Sequence, residues 1–267
     1  MNLVRSWAIV LRQLYLMRCN YSRVISIFIW VFVDILLWGF LTKYLITLTH
    51  KGINFTSLIL GAVLLWDFFS RIMHGITMAF FEDVWARNFI NLFSTPITVG
   101  EYLLGLILSS TLIGSFAFTI MLLVAMIIFG FSFLAYGITI IPFLLILLIF
   151  GISLGIISVS LVLRLGPSAE WIIWPIPAIL SPFVGVFYPI SVLPTWLQIL
   201  SKSLPPSYVF EALRSILFYK VFSIGDLLVG GVLVLIYLGS SSAIFLRTFN
   251  YCIRRGILYK FNAENIT

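Results

Sequence analysis

Residues 81–96 read FEDVWARNFINLFSTP, a charged and helix-forming island between two long apolar segments. The 267-residue chain around it is 62% hydrophobic, has only 9% charged residues and has a mean hydropathy of +1.17. No water-soluble fold of this size could cover so much apolar surface with polar side chains. The sequence therefore predicts an integral membrane protein in which residues 81–96 connect two spans.

Six segments have the length of roughly 20 apolar residues that a membrane-spanning helix needs. Charges, turn residues or clusters of Pro and Gly bound each segment. We expect helices because lipid offers no partner to unpaired backbone groups. The predicted spans are Val24–Leu48, Ser57–Phe81, Tyr102–Phe129, Ile138–Leu163, Trp171–Pro189 and Leu227–Leu246.

The Lys and Arg residues that flank the spans predict the orientation. With both termini in the cytoplasm, most of these residues lie on the cytoplasmic side. We therefore interpret the net charge of +7 as a topology signal and a contact with anionic lipid rather than with nucleic acid. We expect no cleavable signal peptide and a multi-pass protein of the plasma (inner) membrane. The basic residues left outside are Lys43, Lys51, Lys202, Arg214 and Lys220.

The first 23 residues predict a cytoplasmic interfacial helix. On a helical wheel Arg5, Arg12 and Arg23 lie opposite an apolar side, so we expect these arginines to face anionic lipid. Arg18 falls near the apolar side, so either it snorkels or the helix ends before it. The alternative is a disordered basic tail that only fixes topology. The apolar side comprises Leu3, Trp7, Val10, Leu14 and Met17.

Ionisable residues inside spans are expensive and indicate function by default. In the second span, Asp67, Arg71 and His74 follow spacings of four and three, which place them on one helical face. This face either lines a substrate path or subunit seam, or contains a neutralised pair buried for packing. Asp34, in the first span, either faces Arg71 from a neighbouring helix or points toward water; a proton-relay role is the sharper alternative.

The fifth predicted span contains Pro175, Pro177, Pro182 and Pro189, which remove four backbone donors. A straight helix is therefore not expected there. Broken backbone at membrane depth is tolerated where protein covers it or where it lines a cavity. The span is a candidate translocation element, and the alternative is a simple kink.

The region 188–224 is predicted to be an extracytoplasmic re-entrant loop with short outer-leaflet helices. Pro205-Pro206 divides it, and the half after these prolines has helical spacing but is too polar to span. We expect that half to lie on the outer leaflet or to dip into it. Glu211 and Arg214 are three residues apart, a spacing that allows a surface ion pair.

Small residues in the fourth span predict close helix packing, because Gly151 and Gly155 form a small-xxx-small pair. The predicted fold is therefore an all-α membrane protein. It consists of the interfacial helix over residues 1–23 and one six-helix transmembrane domain over residues 24–267, with a broken fifth span.

Several chemistries are absent from the sequence. It contains no Gly-x-x-x-x-Gly-Lys-Ser/Thr phosphate loop and no soluble segment long enough for a nucleotide-binding domain, so the chain cannot hydrolyse ATP alone. His50 and His74 are the only histidines, and no ligand spacing predicts a metal site. Cys19 and Cys252 both fall on the reducing side, so we expect free thiols. The sequence points to transport that is driven from elsewhere.

Over nearly its whole length the chain resembles the permease subunit of type-2 ABC exporters. The resemblance rests on the six spans, the basic N-terminal helix, the connector at residues 82–101 and the outer stretch at residues 187–214. Each motif is loose alone, and their order and spacing make the combination specific.

The resemblance implies that the connector at residues 82–100 is a coupling helix seated in a groove of a separate ATPase subunit. Glu82 matches the acid that ends the second span, Pro96 the proline that closes the loop, and Glu101 the acid that opens the third span. Any ATP and Mg would then bind the partner subunit, and this chain would bind no cofactor.

The chain departs from the family pattern within the connector. Many members have a Gly and then a Glu where this chain has Arg87-Asn88-Phe89-Ile90-Asn91. The expected face toward the ATPase is therefore aromatic, made by Phe89, Leu92 and Phe93. The alternative is an amphipathic loop helix that rests on lipid.

By the same resemblance, two permeases and two ATPases form the transporter, and ATP-driven closure switches it from inward to outward access. Family substrates are hydrophobic drugs, lipids and lipid-linked glycans, and we favour amphipathic or drug-like cargo. The first, second and fifth spans line the path in this family. Its candidate residues here are Asp34, Asp67, Arg71, His74, Pro175, Pro177 and Pro182.

Two other classes of protein compete with this interpretation. A self-sufficient secondary transporter or channel would use Asp34, Asp67 and Arg71 as an ion-coupled site, although no inverted repeat is obvious in the spans. A membrane-bound enzyme would need a polar catalytic cluster, which the sequence does not contain.

Overall fold

The computed structural model describes residues 2–49, 54–131 and 136–256. Within these ranges the chain forms helices and no strand. Lys51 and His50 lie outside the described residues, as does Lys260. The helices are α1 Leu3–Cys19, α2 Tyr21–Thr49, α3 Asn54–Trp85, α4 Phe89–Phe93, α5 Val99–Phe129, α6 Ile141–Leu165, α7 Glu170–Ile173, α8 Ile176–Leu180, α9 Thr195–Lys202, α10 Pro205–Tyr219 and α11 Ile224–Arg254.

Four helical stretches of the described chain are long and apolar enough to cross a membrane, and they coincide with the second, third, fourth and sixth predicted spans. The first predicted span lies within the continuous helix α2, and the broken fifth segment is not among the four. The count of six spans therefore stays a prediction. The four stretches are Leu58–Trp85, Val99–Phe129, Ile138–Ile173 and Ile224–Arg254.

The centre of the bundle is the contact between α3 and α6. A Cβ atom added to Gly151 would come within 3.0 Å of the Phe69 carbonyl oxygen, and one added to Gly155 would come within 2.9 Å of the Ile76 side chain. The two helices approach this closely because both glycines lack a side chain. The close packing expected from the small-xxx-small pair is confirmed.

The proline-rich segment after α6 is not one helix. Short helices α7 and α8 are followed by turns and by a 3-10 turn over Ile190–Val192. Pro175 and Pro177 lack the backbone N–H that would continue the hydrogen-bond ladder across the α7–α8 junction. The Pro182 carbonyl accepts a hydrogen bond from the Tyr188 hydroxyl at 2.8 Å, which closes the turn between them.

Helix α10 packs on α11, α6 and α3, and most of its residues are buried, including Val209, Phe210 and Leu213. Its position on or within the outer leaflet stays a prediction. The apolar positions of α10 lie on one face, and the bundle buries that face, so this helix is part of the core.

Helix α1 lies along the first part of α5. Its Ile9 packs over Gly105, where an added Cβ would come within 2.5 Å of Ile9. Leu3 and Trp7 are 71% and 50% exposed, as an interfacial helix requires. Val10 is buried, so its assignment to the exposed apolar side is wrong. It lies on the protein-facing side of α1 together with Ile9.

Candidate functional site

The connector between α3 and α5 is a compact turn around α4. Helix α3 ends at Trp85, and Arg87 reverses the chain with a φ of 52°, a left-handed conformation that is uncommon for residues other than glycine. Helix α4 then spans a single turn. Thr98 and Glu101 form a capping box that starts α5.

The apolar residues of the connector point inward. The ring of Phe89 lies 5.2 Å from Phe80, and the ring of Phe93 lies 5.8 Å from Tyr102 and 6.0 Å from Phe249. Phe89 and Leu92 are buried, and Phe93 is half-buried. The expectation that these three side chains form an exposed face is wrong, because the ends of α3, α5 and α11 provide an apolar surface that they cover.

The exposed face of the connector is made by other residues. Trp85, whose ring stacks on Phe81 at 5.3 Å, is 48% exposed. Arg87 and Asn91 are also exposed, as are the residues of the turn after α4, whereas Glu82 is half-buried. We name this the connector face, with the members Trp85, Ala86, Arg87, Asn91, Ser94, Thr95 and Pro96.

A buried ionic network lies directly behind the connector face. The Arg12 guanidinium donates to both carboxylate oxygens of Asp83 at 2.6 Å, and the Tyr102 hydroxyl donates to Asp83 at 2.6 Å. The network joins α1, α3 and α5 through side chains alone. Arg12 therefore does not face lipid headgroups as expected, because the buried Asp83 carboxylate pairs with it.

A second polar contact fixes the start of α5. Glu101 accepts hydrogen bonds from the backbone N–H of Asn2 at 2.6 Å and of Thr98 at 3.0 Å, and it lies 3.7 Å from the Arg5 guanidinium. Arg5 also donates to the carbonyl of Pro96. The acid that opens the third span thus holds the N-terminus of α1 against the connector, and Arg5 faces the protein rather than lipid.

Sequence reasoning did not identify Asp83, Tyr102 or Arg12 as a unit. The available signal was the adjacent acids Glu82 and Asp83. Neighbouring residues on a helix point in different directions, so the two carboxylates cannot face the same surroundings. The partners could not be read from spacing, because Arg12 and Tyr102 lie 71 and 19 residues away from Asp83.

The polar face predicted within the second span is present. Arg71 donates to both carboxylate oxygens of Asp67, through Nε and, at 3.2 Å, through a terminal nitrogen. Both side chains are largely buried. Asp34 on α2 is half-buried and lies close enough to Arg71 to interact electrostatically. Asp34, Asp67 and Arg71 therefore belong to one α2–α3 cluster.

The broken segment contacts both α2 and α3. The rings of His74 and Trp174 lie 4.7 Å apart, and the rings of Trp38 and Phe187 stack at 4.8 Å. The Trp174 indole also donates to Glu170 at 3.3 Å. The elements predicted to line a path, namely α2, α3 and the proline-rich segment, thus meet around one polar cluster.

The predicted pair between Glu211 and Arg214 is present, and Arg214 is buried whereas Glu211 is only half-buried. Arg214 lies 3.2 Å from Glu211, and it donates to the carbonyl oxygens of Gly185 and, at 2.9 Å, Tyr188. Glu211 accepts from the backbone N–H of Ile190 at 2.8 Å. Burial lowers the pKa of Arg214, and the Glu211 carboxylate opposes that shift. The pair therefore fastens the loop after α8 to α10.

The comparisons with known proteins agree with this architecture. The family model described as ABC-2 type transporter matches residues 7–218, which is most of the chain. No curated protein gives a significant match to the chain. The match includes α1, the connector and the outer segment up to α10, and with the long apolar helices it shows a membrane transport component. The chain therefore belongs to the ABC-2 type transporter family, as the permease component of an ABC transporter.

Proposed function

We propose that the chain is the membrane subunit of an ATP-driven exporter that moves an amphipathic, drug-like or lipid- or glycan-linked substrate outward by alternating access. The family match carries this proposal, because ABC-2 permeases normally work with an ABC ATPase. Two permease copies and two ATPases would form the transporter in the plasma membrane, with both permease termini in the cytoplasm. ATP and Mg would bind the ATPases.

The connector face defined above is our proposed ATPase contact. It combines an exposed aromatic ring at Trp85 with the cation Arg87 and the amide Asn91, and such a mixture suits a helix-in-groove interface. Phe89, Leu92 and Phe93 support this face from behind. Because Asp83 is bonded to Arg12 and Tyr102, a push on the connector would reach α1, α3 and α5 together.

We further propose that substrate passes beside the α2–α3 cluster and the broken segment, where a second permease copy would complete the path. The contacts of His74 with Trp174 and of Trp38 with Phe187 support this proposal. The turns around Pro175, Pro177 and Pro182 lack a continuous helix, so this segment can change its shape more easily than a rigid span.

Association with the ATPase is tested by a pull-down from membranes that contain the chain and its cognate ATPase. The test variant combines Arg87→Asp with Asn91→Asp; aspartate tolerates the left-handed backbone at position 87. We expect loss of the ATPase from the pull-down with normal membrane insertion. Arg18→Asp, an exposed charge reversal on α1 away from the connector face, is the matched control and should retain the ATPase.

Transport is tested with inside-out vesicles that contain both subunits and a fluorescent amphiphile. We expect uptake into the vesicles that requires ATP and is abolished by the connector-face variant but not by Arg18→Asp. Equal uptake without nucleotide would contradict the proposal and favour an ion-coupled transporter. Full ATPase retention by the connector-face variant would show that the contact lies elsewhere.

A further inference from the structure

A cavity of about 310 Å³ opens between α9, α10 and the start of α11, away from the α2–α3 cluster. Its volume is at the lower end of the range for small-ligand sites, about 300 to 1,000 Å³. Most of the residues that line the cavity are polar or charged. They include Gln198, Lys202, Ser207, Tyr208, Glu211 and Asp226.

Not every polar side chain of the lining is open to the cavity. Ser207 is 1% exposed, and its hydroxyl, which has no hydrogen-bond partner among the described residues, is buried in the cavity wall. The neighbouring polar groups are already oriented: the Tyr208 hydroxyl donates to the Lys202 carbonyl at 2.8 Å, and the Gln198 amide donates to the Leu193 carbonyl at 2.7 Å.

The charges of the cavity are of opposite sign and are not joined. Glu211 is neutralised by Arg214 at 3.2 Å. Lys202 and Asp226 both line the cavity, yet in the part of the chain that the structure describes neither belongs to a salt bridge. After the Glu211–Arg214 pair is set aside, one cation and one anion remain in a cavity with little net charge.

We propose that this cavity binds a zwitterionic head group that joins a protonated amine to a phosphate. The amine would pair with Asp226 and the phosphate with Lys202. An anionic head group without an amine would leave Asp226 unpaired beside Glu211. A neutral sugar would leave both charges without a counterion.

The source of this head group that fits best is a phospholipid of the leaflet beside α9. Along α9, Trp196 is 69% exposed, and Ile199 and Leu200 are also exposed, on the same helix that contributes Gln198 and Lys202 to the cavity. An exposed Trp beside aliphatic side chains is typical of a helix at the lipid interface. Acyl chains could therefore lie along α9 while the head group enters the cavity.

The test measures binding of short-chain phosphatidylethanolamine to the purified full-length protein in detergent, by the shift of the unfolding midpoint during titration. Parallel titrations use phosphatidylglycerol of the same chain length and soluble phosphoethanolamine. We expect saturable binding of the first, and binding about tenfold weaker in Asp226→Asn and in Lys202→Gln, because each loses a charge-assisted hydrogen bond. Lys43→Gln removes an exposed lysine outside the cavity and should bind normally.

Equal binding of phosphatidylglycerol, or wild-type affinity in both Asp226→Asn and Lys202→Gln, would overturn the proposal. Binding of soluble phosphoethanolamine with the affinity of the lipid would support the site and identify a soluble ligand as its source. These outcomes do not depend on the ATPase, so they are separate from the test of export.

Discussion

The two ends of the helical bundle both use an arginine with a carboxylate, but they use it in different ways. At the connector end, Arg12 and Tyr102 meet at Asp83, so three helices are joined by side chains only. At the other end, Arg214 bonds the backbone carbonyls of the loop after α8 and is paired with Glu211. We name these the connector junction and the loop anchor.

The difference follows from what each end must hold. Lipid supplies no hydrophobic drive between helices, so polar side chains contribute where helices must stay together at their ends. The loop anchor serves irregular backbone, whose carbonyl groups need donors when they are buried. The connector junction joins elements whose backbone is already satisfied. The connector junction can therefore shift as a unit. Loss of the loop anchor, by contrast, leaves buried backbone carbonyl groups of the loop without donors.

The largest effect is expected from Arg214→Ala at the loop anchor. The change leaves the buried loop carbonyls without their donor and leaves Glu211, whose side chain is 35% exposed, without its cation. We expect a loss of about 3 kcal/mol of the free energy of unfolding, chiefly from the unsatisfied carbonyls. The measurement is the unfolding midpoint in detergent. Arg214→Lys keeps the charge without the planar fork and should recover only part of the loss. An unchanged midpoint for Arg214→Ala would show that the loop after α8 does not depend on this arginine, and the contrast between the loop anchor and the connector junction would then be wrong.

Asp83→Ala at the connector junction should have the second largest effect. It strands the Arg12 charge, and because the Arg12 side chain is 25% exposed as a whole we reduce the cost of breaking a fully buried pair to about 2 kcal/mol. The paired change Arg12→Met with Asp83→Leu should be less destabilising than Asp83→Ala in the same unfolding assay. A double variant that is less stable than Asp83→Ala would show that Arg12 and Asp83 do not act as a pair that neutralises itself.

Tyr102→Phe tests the neutral member of the connector junction. Removing one buried hydrogen bond to a carboxylate should lower the free energy of unfolding by about 1 kcal/mol. Tyr188→Phe is the matched control near the loop anchor, because its hydroxyl bonds the Pro182 carbonyl in an exposed position. We expect a smaller midpoint shift for the control. A larger midpoint shift for Tyr188→Phe than for Tyr102→Phe would mean that burial does not decide how much these two hydrogen bonds contribute to stability.

The smallest effect is expected from Glu101→Gln. Glutamine has one acceptor oxygen, whereas the N–H groups of Asn2 and Thr98 bond different oxygens of Glu101, so glutamine keeps only one of these two hydrogen bonds. The charge toward Arg5 and the α5 N-terminus is also lost. Hydrogen exchange at the two amides provides the measurement and should accelerate at one of them. Exchange as fast as in an unfolded peptide would show that the carboxylate itself is required.

Most of the long helices could be predicted from sequence because apolar length and flanking charge are local properties. The ends of α3, α5, α6 and α11 fall within a few residues of the expected spans, except for the eight residues by which α11 extends past Leu246. The close packing at the α6 glycines and the Asp67–Arg71 pair were also predictable, since each depends on spacing within one helix, whereas the identity of α3 as the partner of α6 was not.

Predictions failed where a side chain could face either the rest of this chain or a partner or lipid outside it. Phe89 and Leu92 were expected to face a partner, and Arg12 was expected to face lipid, yet all three contact this chain. Helical periodicity identifies which residues share a face and does not say what covers that face. For α10 the same limit applied, because helical spacing did not show that its apolar side packs on α11, α6 and α3.

The sequence by itself determined that this is an all-helical membrane protein of the ABC-2 kind with a charged connector after the second span. A long apolar segment in lipid must satisfy its backbone within its own helix, and the order of the motifs can be read directly along the chain. Only the tertiary structure decided which side of that connector is exposed. It also decided that Asp83 gathers Arg12 and Tyr102, and that Arg214 holds a loop. These contacts join residues far apart in sequence, and their energies depend on burial, which a single segment does not have until the bundle has formed.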